Sequence, residues 1–339
     1  IPFRIGQDQR LALFYDAVSP EVLDFDGDGL LDILVCTFDR LVLYRNVGSR
    51  TRPRLADGTL LKVGKPETLP FQRLTLVLAN WKKGDRNHLL FCSDQLMFHV
   101  QNTSKTPKPH YQLAGPLLTF DPPLVVDAEA IPHVSDWNGD GRPDLLVGCE
   151  DGFITYFENV STAKPAGLHF RHGKLLTVGK QPLRVLSDYG MTGRLEGLWG
   201  YANPITVDWD GDGDLDILTG STDPSIDYFQ NLGTRTKPRL AAATKITVDG
   251  AVLPHDWRSR PTADDWNGDG LIDLMVATRD GRLRYYERVR KDGALSLKTG
   301  RVMHDPKGKP LYLRGSEDRS GGRVKLSSVD WDKDGDLDL

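Results

Sequence analysis

A nine-residue phrase that recurs along the chain constrains its fold more than any other feature. In the clearest copy, residues 208–216, the phrase reads Asp-Trp-Asp-Gly-Asp-Gly-Asp-Leu-Asp, with acids at positions 1, 3, 5 and 9 and glycine at position 6. Alternate side chains of a tight loop can point at one centre, and Ca²⁺ prefers six to eight oxygen ligands, one of which the backbone carbonyl of position 7 can supply. Glycine takes the positive φ that a sharp turn requires. The phrase therefore predicts a calcium-binding loop.

Five intact copies of the phrase start at residues 24, 136, 208, 265 and 330, and a degenerate sixth copy spans 80–88. The degenerate copy has lysines where acids belong, and we expect it to bind no calcium. Recurrence every 56 to 72 residues indicates a repeat protein. Up to five Ca²⁺ are predicted, and their side-chain ligands are Asp24, Asp26, Asp28, Asp32, Asp136, Asn138, Asp140, Asp144, Asp208, Asp210, Asp212, Asp216, Asp265, Asn267, Asp269, Asp273, Asp330, Asp332, Asp334 and Asp338.

Short runs typical of β-strands surround each copy. One run precedes the loop, as at 204–207, and a second follows it, as at 215–219. Third runs, at 41–44, 95–98, 153–159, 226–229 and 283–286, come after a tight turn, and a fourth, such as 176–180 or 246–248, comes after a polar, proline-bearing connection. Four short antiparallel strands per unit describe a β-propeller blade, and we see no amphipathic helix. The fold class expected is therefore all-β.

The motif DWDGDGDLDILTG at 208–220, followed by YFQNLGTRTKP at 228–238, resembles the FG-GAP/VCBS repeat family, whose calcium-loop blades also form integrin-α-like propellers. The resemblance covers nearly the whole chain. It implies a propeller with calcium between the first and second strands of each blade. We expect seven blades, with six or eight as alternatives. The family includes adhesion modules, lectins, polysaccharide lyases and glycosidases, so the resemblance does not select a function.

The repeats are close enough to predict a single domain over 1–339. Leu339 falls inside the second strand of the last repeat, so we expect the chain to continue beyond it, with an N-terminal strand at 2–6 completing the last blade. No run of 18 apolar residues predicts a membrane span, and we expect a secreted, periplasmic or cell-surface protein. Three cysteines at similar repeat positions are interpreted as small buried residues rather than a disulfide: Cys36, Cys92 and Cys149.

The formal charge of −4 changes sign if the loops bind calcium, because five divalent ions would bring it to about +6. The loaded protein should then carry a basic surface away from its loops, which favours an anionic partner. Nucleic acid is not expected to be that partner, since the basic residues are dispersed and no recognition motif occurs.

Tryptophan occupies position 2 of the phrase at residues 81, 137, 209, 266 and 331, with Phe25 in the first copy, and we expect these aromatics to pack between blades. Trp199 and Trp257 stand outside this register, in connections that enter a first strand at the end opposite the calcium loop. We call that end of the first strands the rim; propellers commonly gather binding loops there. The two tryptophans either stack on sugar rings or anchor their own connections.

Charged residues recur at the rim. The positions seven residues before each phrase are Ala17, Arg73, Glu129, Tyr201, Arg258 and Arg323, and those five before it are Ser19, Thr75, Ile131, Asn203, Arg260 and Lys325. Guanidinium groups suit carboxylate or sulfate, since they present a planar fork of donors. The residues predicted to bind substrate are Arg73, Glu129, Trp199, Asn203, His255, Trp257, Arg260 and Arg323.

These features favour a calcium-stabilised extracellular propeller that recognises an acidic polysaccharide through its rim. A first alternative is a polysaccharide lyase, in which Arg258 neutralises a uronate carboxylate and Tyr201 or His133 removes the C5 proton. A glycosidase would instead pair Glu129 with Asp127, Asp188 or Glu196. A third possibility is an adhesion module with a protein ligand. An insertion at about 184–201 is placed to cover or shape the rim. The residues alone leave enzyme and binding module both open.

Overall fold

The computed structural model describes a set of strands, turns and loops. The residues it describes are 19–36, 41–61, 75–79, 81, 88–93, 95–104, 110–119, 124–127, 129–161, 168–186, 199–291, 293–304, 307–311, 325–331 and 334–338. No helix occurs among them, so the all-β class is confirmed for this part of the chain. No described segment, accordingly, is a helix long and apolar enough to cross a membrane.

Five sheets each have four antiparallel strands arranged in chain order, which is the topology of propeller blades. The first blade comprises β1 (Ser19–Leu23), β2 (Asp32–Cys36), β3 (Leu41–Tyr44) and β4 (Thr59–Leu60). The second comprises β5 (Thr75–Ala79), β6 (His88–Ser93), β7 (Leu96–Asn102) and β8 (Tyr111–Pro116). The third comprises β10 (Ile131–Ser135), β11 (Asp144–Gly148), β12 (Ile154–Phe157) and β14 (Lys174–Leu175).

The last two blades follow the same plan. The fourth comprises β17 (Asn203–Val207), β18 (Asp216–Gly220), β19 (Ile226–Phe229) and β20 (Thr244–Lys245). The fifth comprises β23 (Thr262–Asp264), β24 (Asp273–Ala277), β25 (Leu283–Tyr286) and β28 (Arg301–Val302). In all four of the blades that contain an intact phrase, the acidic loop joins the first strand to the second, as predicted.

The expectation of seven blades is wrong for the described residues, which form five. The number seven came from the need to close a ring and not from strands counted in the chain. In the described part of the sixth repeat, the backbone makes two isolated bridges, Arg260 with Lys325 and Val329 with Asp338. The strand expected at 2–6 lies outside the described residues.

Eight further strands form small two-stranded sheets. In the first unit β9 (Leu118–Thr119) pairs in parallel with β13 (His169–Phe170). The antiparallel hairpins are β15 (Thr177–Val178) with β16 (Gln181–Pro182), β21 (Thr247–Val248) with β22 (Ala251–Val252), and β26 (Arg288–Lys291) with β27 (Ala294–Leu297).

Two of these hairpins correct the predicted fourth strands. The runs at 176–180 and 246–248 supply β15 and β21, whereas the fourth strands β14 and β20 lie a few residues earlier. The hairpins close through two-residue turns that contain residues of positive φ: Gly179 (61°) in one, and Asp249 (50°) with Gly250 (79°) in the other. Such turns match the twist of paired strands, so the chain reverses instead of extending the blade.

The chain divides into two compact units. The first contains Ile1–Ala130, Glu158–His172 and Val329–Asp338, and so includes blades one and two. The second contains Ile131–Phe157 and Gly173–Ser328, together with Leu339, and so includes blades three to five.

The aromatics at position 2 of the phrase pack in the cores, as predicted. Phe25, Trp81, Trp137, Trp209 and Trp331 are 2–7% exposed, and Trp266 is partly buried against a core cluster. In the first unit Phe25 of one blade stacks on Tyr111 of the next, with ring centroids 5.1 Å apart. In the second unit the core around Trp209 includes side chains of both the fourth and the fifth blade. Position 2 therefore joins neighbouring blades within each unit. The three cysteines are free and buried.

Candidate functional site

The acidic loops are folded around their own side chains. In the fourth blade, Asp208 accepts hydrogen bonds from the backbone N–H groups of Gly211 (2.8 Å), Asp212 (3.0 Å) and Gly213 (3.0 Å). Gly211 and Gly213 have φ of 78° and 96°, a conformation that glycine adopts without strain. Equivalent bonds to the position-1 carboxylate occur at Asp24, Asp136, Asp265 and Asp330.

Two loops bring three carboxylates together. Asp24, Asp26 and Asp28 each place an oxygen within 4.8 Å of the others, and so do Asp208, Asp210 and Asp212. Three oxygens at this spacing, in a loop that can add a backbone carbonyl, form a donor set that fits a hard cation such as Ca²⁺. The loops of the third and fifth blades, which we call loops three and five after their blades, differ because asparagine stands at position 3. The Nδ2 of Asn138 donates to Asp140 (3.2 Å), and that of Asn267 donates to Asp269 (3.0 Å). Asp332 of the last loop lies outside the described residues.

The aspartate at position 9 is buried and ties several segments together. Asp216 accepts hydrogen bonds from the backbone N–H of Trp209 (3.1 Å) and of Asn231 (2.6 Å), and from the hydroxyl of Tyr228 (3.1 Å). Burial raises the pKa of the Asp216 carboxyl to about 6. Tyrosine donates in the same way to Asp144 and to Asp273. Sequence reasoning missed this tyrosine, although it recurs twelve residues after position 9 in four repeats.

The second blade replaces that pair with two histidines. His88 occupies position 9 of the degenerate repeat, and its Nδ1 lies 2.7 Å from the Nε2 of His99. The two rings stack with centroids 4.9 Å apart, and both residues are buried. Burial, with His88 beside it, lowers the pKa of His99 to about 4. The blade without the acids of a calcium loop has therefore exchanged its Asp–Tyr pair for a His–His pair.

The rim positions seven residues before the phrase share an unusual backbone. Glu129, Tyr201 and Arg258 have φ of 52°, 47° and 52°, in the left-handed region that side-chain-bearing residues rarely adopt. The alignment of repeats made from the sequence is thus confirmed at these three positions. In the second unit the N–H of Tyr201 donates to Glu150 O (3.1 Å), and that of Arg258 donates to Ser221 O (2.6 Å). These bonds to the preceding blade hold the left-handed conformation.

Four rim residues of the second unit form one cluster. The guanidinium carbon of Arg258 lies 3.2 Å from the centroid of the Tyr201 ring and 4.7 Å from that of Trp257. Trp199 meets Tyr201 edge-on, with ring centroids 6.0 Å apart. Tyr201 and Arg258 are buried, whereas Trp199 and Trp257 are partly exposed. We call Trp199, Tyr201, Trp257 and Arg258 the rim cluster.

Two predicted binding residues are fully buried rather than exposed at the rim. The Asn203 Nδ2 donates to Tyr201 O (2.8 Å), and Asn203 is fully buried. His255 is also fully buried, and its Cε1 lies 2.8 Å from the place where a side chain on Gly220 would begin. Neither ring nitrogen of His255 has a hydrogen-bond partner among the described residues, and burial lowers its pKa to about 3. Asn203 thus supports the connection that carries Tyr201, and His255 belongs to the connection that carries Arg258.

His133 makes contacts of a structural kind. Thr206 donates its backbone N–H to the His133 Nε2 (3.1 Å), and its hydroxyl oxygen lies 3.0 Å from the same atom. Thr262 and Ser328, at the same two repeat positions, make an equivalent 3.0 Å contact. Burial and the nearby Arg260 lower the pKa of His133 to about 3. Its proposed catalytic role stays a prediction.

The remaining rim residues are placed as follows. Arg260 is partly buried and forms its backbone bridge with Lys325, the residue at the same position of the next repeat. Glu129 is exposed and belongs to the first unit. Arg73 and Arg323 lie outside the described residues. The structure therefore brings together Tyr201, Arg258, Trp199 and Trp257, whereas Asn203 and His255 are buried in the connections that carry them.

Four-stranded blades with aspartate-rich loops between their first and second strands define an all-β protein of the β-propeller type. No family model matches the chain, and no curated protein matches it. Solved structures do resemble it. An Agrocybe aegerita lectin, described as recognising non-reducing terminal N-acetylglucosamine, is 17% identical with a TM-score of 0.48; the match covers 84% of this chain and 65% of the lectin.

Two further solved structures are similar. The Photorhabdus luminescens Tc holotoxin pore is 17% identical with a TM-score of 0.41, over 80% of this chain and 12% of that one. The periplasmic gluconolactonase of Pseudomonas aeruginosa is 14% identical with a TM-score of 0.43, over 81% and 68%. The chain thus spans less than two thirds of the lectin and of the toxin. At these identities and TM-scores, none of the three resemblances assigns this chain a ligand or an activity.

Proposed function

We propose that the protein is a calcium-stabilised extracellular propeller that binds an acidic polysaccharide through the rim cluster. The observation that carries this proposal is the packing of Arg258 against both Tyr201 and Trp257, with Trp199 packed against the same tyrosine. Two connections far apart in sequence bring their aromatic rings and a cation to one place. None of these aromatics belongs to the register that packs between blades.

The chemistry of the rim cluster suits a uronate-containing glycan. Partly exposed tryptophan rings offer flat apolar faces to the C–H groups of a sugar ring. Arg258 is 6% exposed, so it acts mainly as a fixed positive charge next to the Trp257 ring. Arg260 and Lys325 occupy the same position of successive repeats, and their backbones are bridged. They add two further cations in the second unit. A cluster of like charges at a loop surface attracts anions over several ångströms.

Calcium enters the proposal as a structural ion. The carboxylates at positions 1, 3 and 5 would hold it, most readily in the first and fourth loops, where three oxygens already converge. Bound calcium supplies positive charge that offsets the repulsion between these acids. Calcium is abundant enough outside cells to load even the weakly binding loops of extracellular modules, and on this ground we infer an extracellular location.

The geometry favours binding over β-elimination. Tyr201 is 5% exposed, and Arg258 covers one face of its ring. The Nε2 of His133 already accepts the N–H of Thr206. A general base must reach the proton that it removes, and both candidates are engaged elsewhere. The lyase reading therefore becomes an outcome of the test rather than a second proposal.

The test is retention on a panel of immobilised polysaccharides, acidic and neutral, in calcium-containing buffer. The wild-type protein should be retained by uronate polymers, and Trp257→Ala should lose retention while keeping its melting temperature. Leu232→Ala, which removes an exposed apolar side chain of a different connection, is the matched control and should bind as the wild type does. Equal retention of Trp257→Ala, or retention by no polysaccharide, would overturn the proposal. Release of an ultraviolet-absorbing unsaturated sugar would favour the lyase instead.

A further inference from the structure

The chain contains two Asn-Gly dipeptides, Asn138-Gly139 and Asn267-Gly268. Both occupy positions 3 and 4 of a loop phrase, in the third and the fifth blade. In the loops of the first and fourth blades, aspartate stands at position 3. The two asparagines are therefore the only side-chain difference at positions 1, 3, 5 and 9 between these four loops.

Hydrogen bonds hold each asparagine side chain over the backbone that follows it. The Asn267 Oδ1 accepts the N–H of Asp269 (2.9 Å), and its Nδ2 donates to the Asp269 carboxylate (3.0 Å). Asn138 makes the same two bonds with Asp140, at 3.0 and 3.2 Å. This folded-back turn keeps the amide carbon beside the nitrogen of the intervening glycine. That glycine has no side chain to obstruct an approach between the two atoms.

We propose that Asn138 and Asn267 are sites of spontaneous deamidation. The backbone nitrogen of Gly268 forms a bond to the Asn267 Cγ, and the bond from Cγ to Nδ2 breaks. Ammonia leaves with the proton from the glycine N–H, and a five-membered imide remains. Water then opens the imide: attack at Cγ gives aspartate, and attack at the α-carbonyl carbon gives isoaspartate. The carboxylate of Asp269 lies at hydrogen-bond distance from the departing nitrogen.

The two sites should react at different rates because their glycines have different surroundings. Gly268 is exposed, and a side chain added to it would meet no atom within 4 Å. At Gly139, by contrast, an added Cβ would lie 2.8 Å from the Cγ of Arg235. Arg235 is itself held in place, since its Nη1 donates to Trp137 O (3.2 Å). Arg235 therefore restricts the third loop, and Asn267 should deamidate faster than Asn138.

The consequence for metal binding rests on the proposed function, in which the loops hold calcium. Aspartate at position 3 would give loops three and five the four-aspartate ligand set of loops one and four. A higher ligand charge raises the calcium affinity of such loops. Isoaspartate lengthens the backbone by one atom, so it should weaken the loop that contains it.

The experiment is to age the purified protein in neutral buffer and to follow each asparagine by peptide mass spectrometry. Asn231 is the internal control, because its Oδ1 also accepts the N–H two residues on (2.9 Å) but leucine follows it. We expect the mass gain of deamidation to appear several-fold faster at Asn267 than at Asn138, and at Asn231 last. Arg235→Ala should accelerate Asn138 and leave Asn267 unchanged. Equal rates at Asn267 and Asn231, or a faster reaction at Asn138, would overturn the proposal.

A separate titration distinguishes failure of this proposal from failure of the calcium loops. Asn267→Asp should bind calcium more tightly at one site than the wild type, measured by calorimetry, and Asn267→Gln should abolish the mass gain at that position. If Asn267 gains mass but Asn267→Asp leaves calcium binding unchanged, the modification stands and the calcium assignment of this loop fails. If affinity rises but no mass is gained, the calcium assignment stands and the modification fails.

Discussion

Arg258 and Tyr201 stack on each other, with the guanidinium carbon 3.2 Å from the centre of the ring. They occupy the same position of successive repeats, and both have positive φ, 52° and 47°. Strained backbone of this kind persists where the surrounding structure holds it, often near functional sites. The contact links the connections that enter the fourth and the fifth blade, and Arg258 also lies against the Trp257 ring.

The stacked pair should show energetic coupling. Buried cation–π contacts contribute about 2 kcal/mol, so a double-mutant cycle with Tyr201→Ala and Arg258→Ala should give a coupling of about 1–2 kcal/mol. The measurement is the free energy of unfolding in urea for the two single variants and the double variant. The control pairs Tyr201→Ala with Arg301→Ala, because Arg301 lies over Tyr285 and not over Tyr201. The free-energy changes of these two substitutions should be additive. A coupling no larger than in this control would contradict the stacking.

Gly220→Ala should destabilise the connection that carries Trp257 and Arg258. An added Cβ would meet the Ser259 carbonyl oxygen and the His255 Cε1. Overpacking of this kind costs about 1–3 kcal/mol, measured as a loss in the free energy of unfolding. The fifth blade has alanine at the equivalent position, Ala277, so Ala277→Gly is the reciprocal control and should lose less stability. A Gly220→Ala protein as stable as the wild type would show that Ser259 and His255 do not crowd this position.

Acid should destabilise the protein through His255. Burial lowers its pKa from 6.5 to about 3, so the native state holds the neutral ring. As the pH falls, His255 binds a proton in the unfolded state before it does so in the native state. Its contribution to the free energy of unfolding is therefore full above pH 6.5 and declines toward pH 3, by up to about 1.4 kcal/mol per pH unit. Urea unfolding across this range should give a flatter curve for His255→Asn. His172→Asn, on the surface, is the control and should keep the wild-type slope. An unchanged slope for His255→Asn would contradict this account.

Removal of calcium should lower the melting temperature. An ion present at a hundredfold excess over its dissociation constant adds about 2.7 kcal/mol of stability per site. Asp208→Asn should shrink the difference between the melting temperatures with calcium and with chelator, because it removes one negative charge from the proposed ligand set. Asp214→Asn should leave that difference intact, since position 7 would contribute only its backbone carbonyl to the proposed site. A wild-type melting curve that chelator does not move would refute the structural role of calcium.

The repeated phrase made much of the fold predictable from the sequence. It located the loops between first and second strands, and the third strands β3, β19 and β25 have the residues expected from their apolar patterns. The fourth strands were misplaced because the run at 246–248 has a strand-like composition. This run forms a hairpin rather than the fourth strand, because the following Asp249 and Gly250 both have positive φ and reverse the chain.

The rim was predictable only in part. Counting back from the phrase identified Tyr201 and Arg258 as equivalent positions. The two tryptophans outside the register of the phrase indicated the same end of the strands. Their mutual stacking depends on left-handed backbone at two non-glycine residues, and residue type gives no local signal for that conformation. Nor did the sequence indicate that His255 fills the space above Gly220. Contacts between segments so distant in the chain are set by tertiary packing, which a local pattern does not encode.

The most direct test of the proposed glycan recognition is a calorimetric titration with the uronate polymer that best retains the protein. Wild-type protein, Trp199→Ala, Trp257→Ala and Leu232→Ala should be compared in the same calcium-containing buffer, each after its melting temperature has been checked. The account predicts saturable binding by the wild type and by Leu232→Ala, and a loss of at least tenfold in affinity, or about 1.4 kcal/mol, for either tryptophan variant. Folded tryptophan variants that bind with wild-type affinity would contradict the assignment of the rim cluster as the binding site.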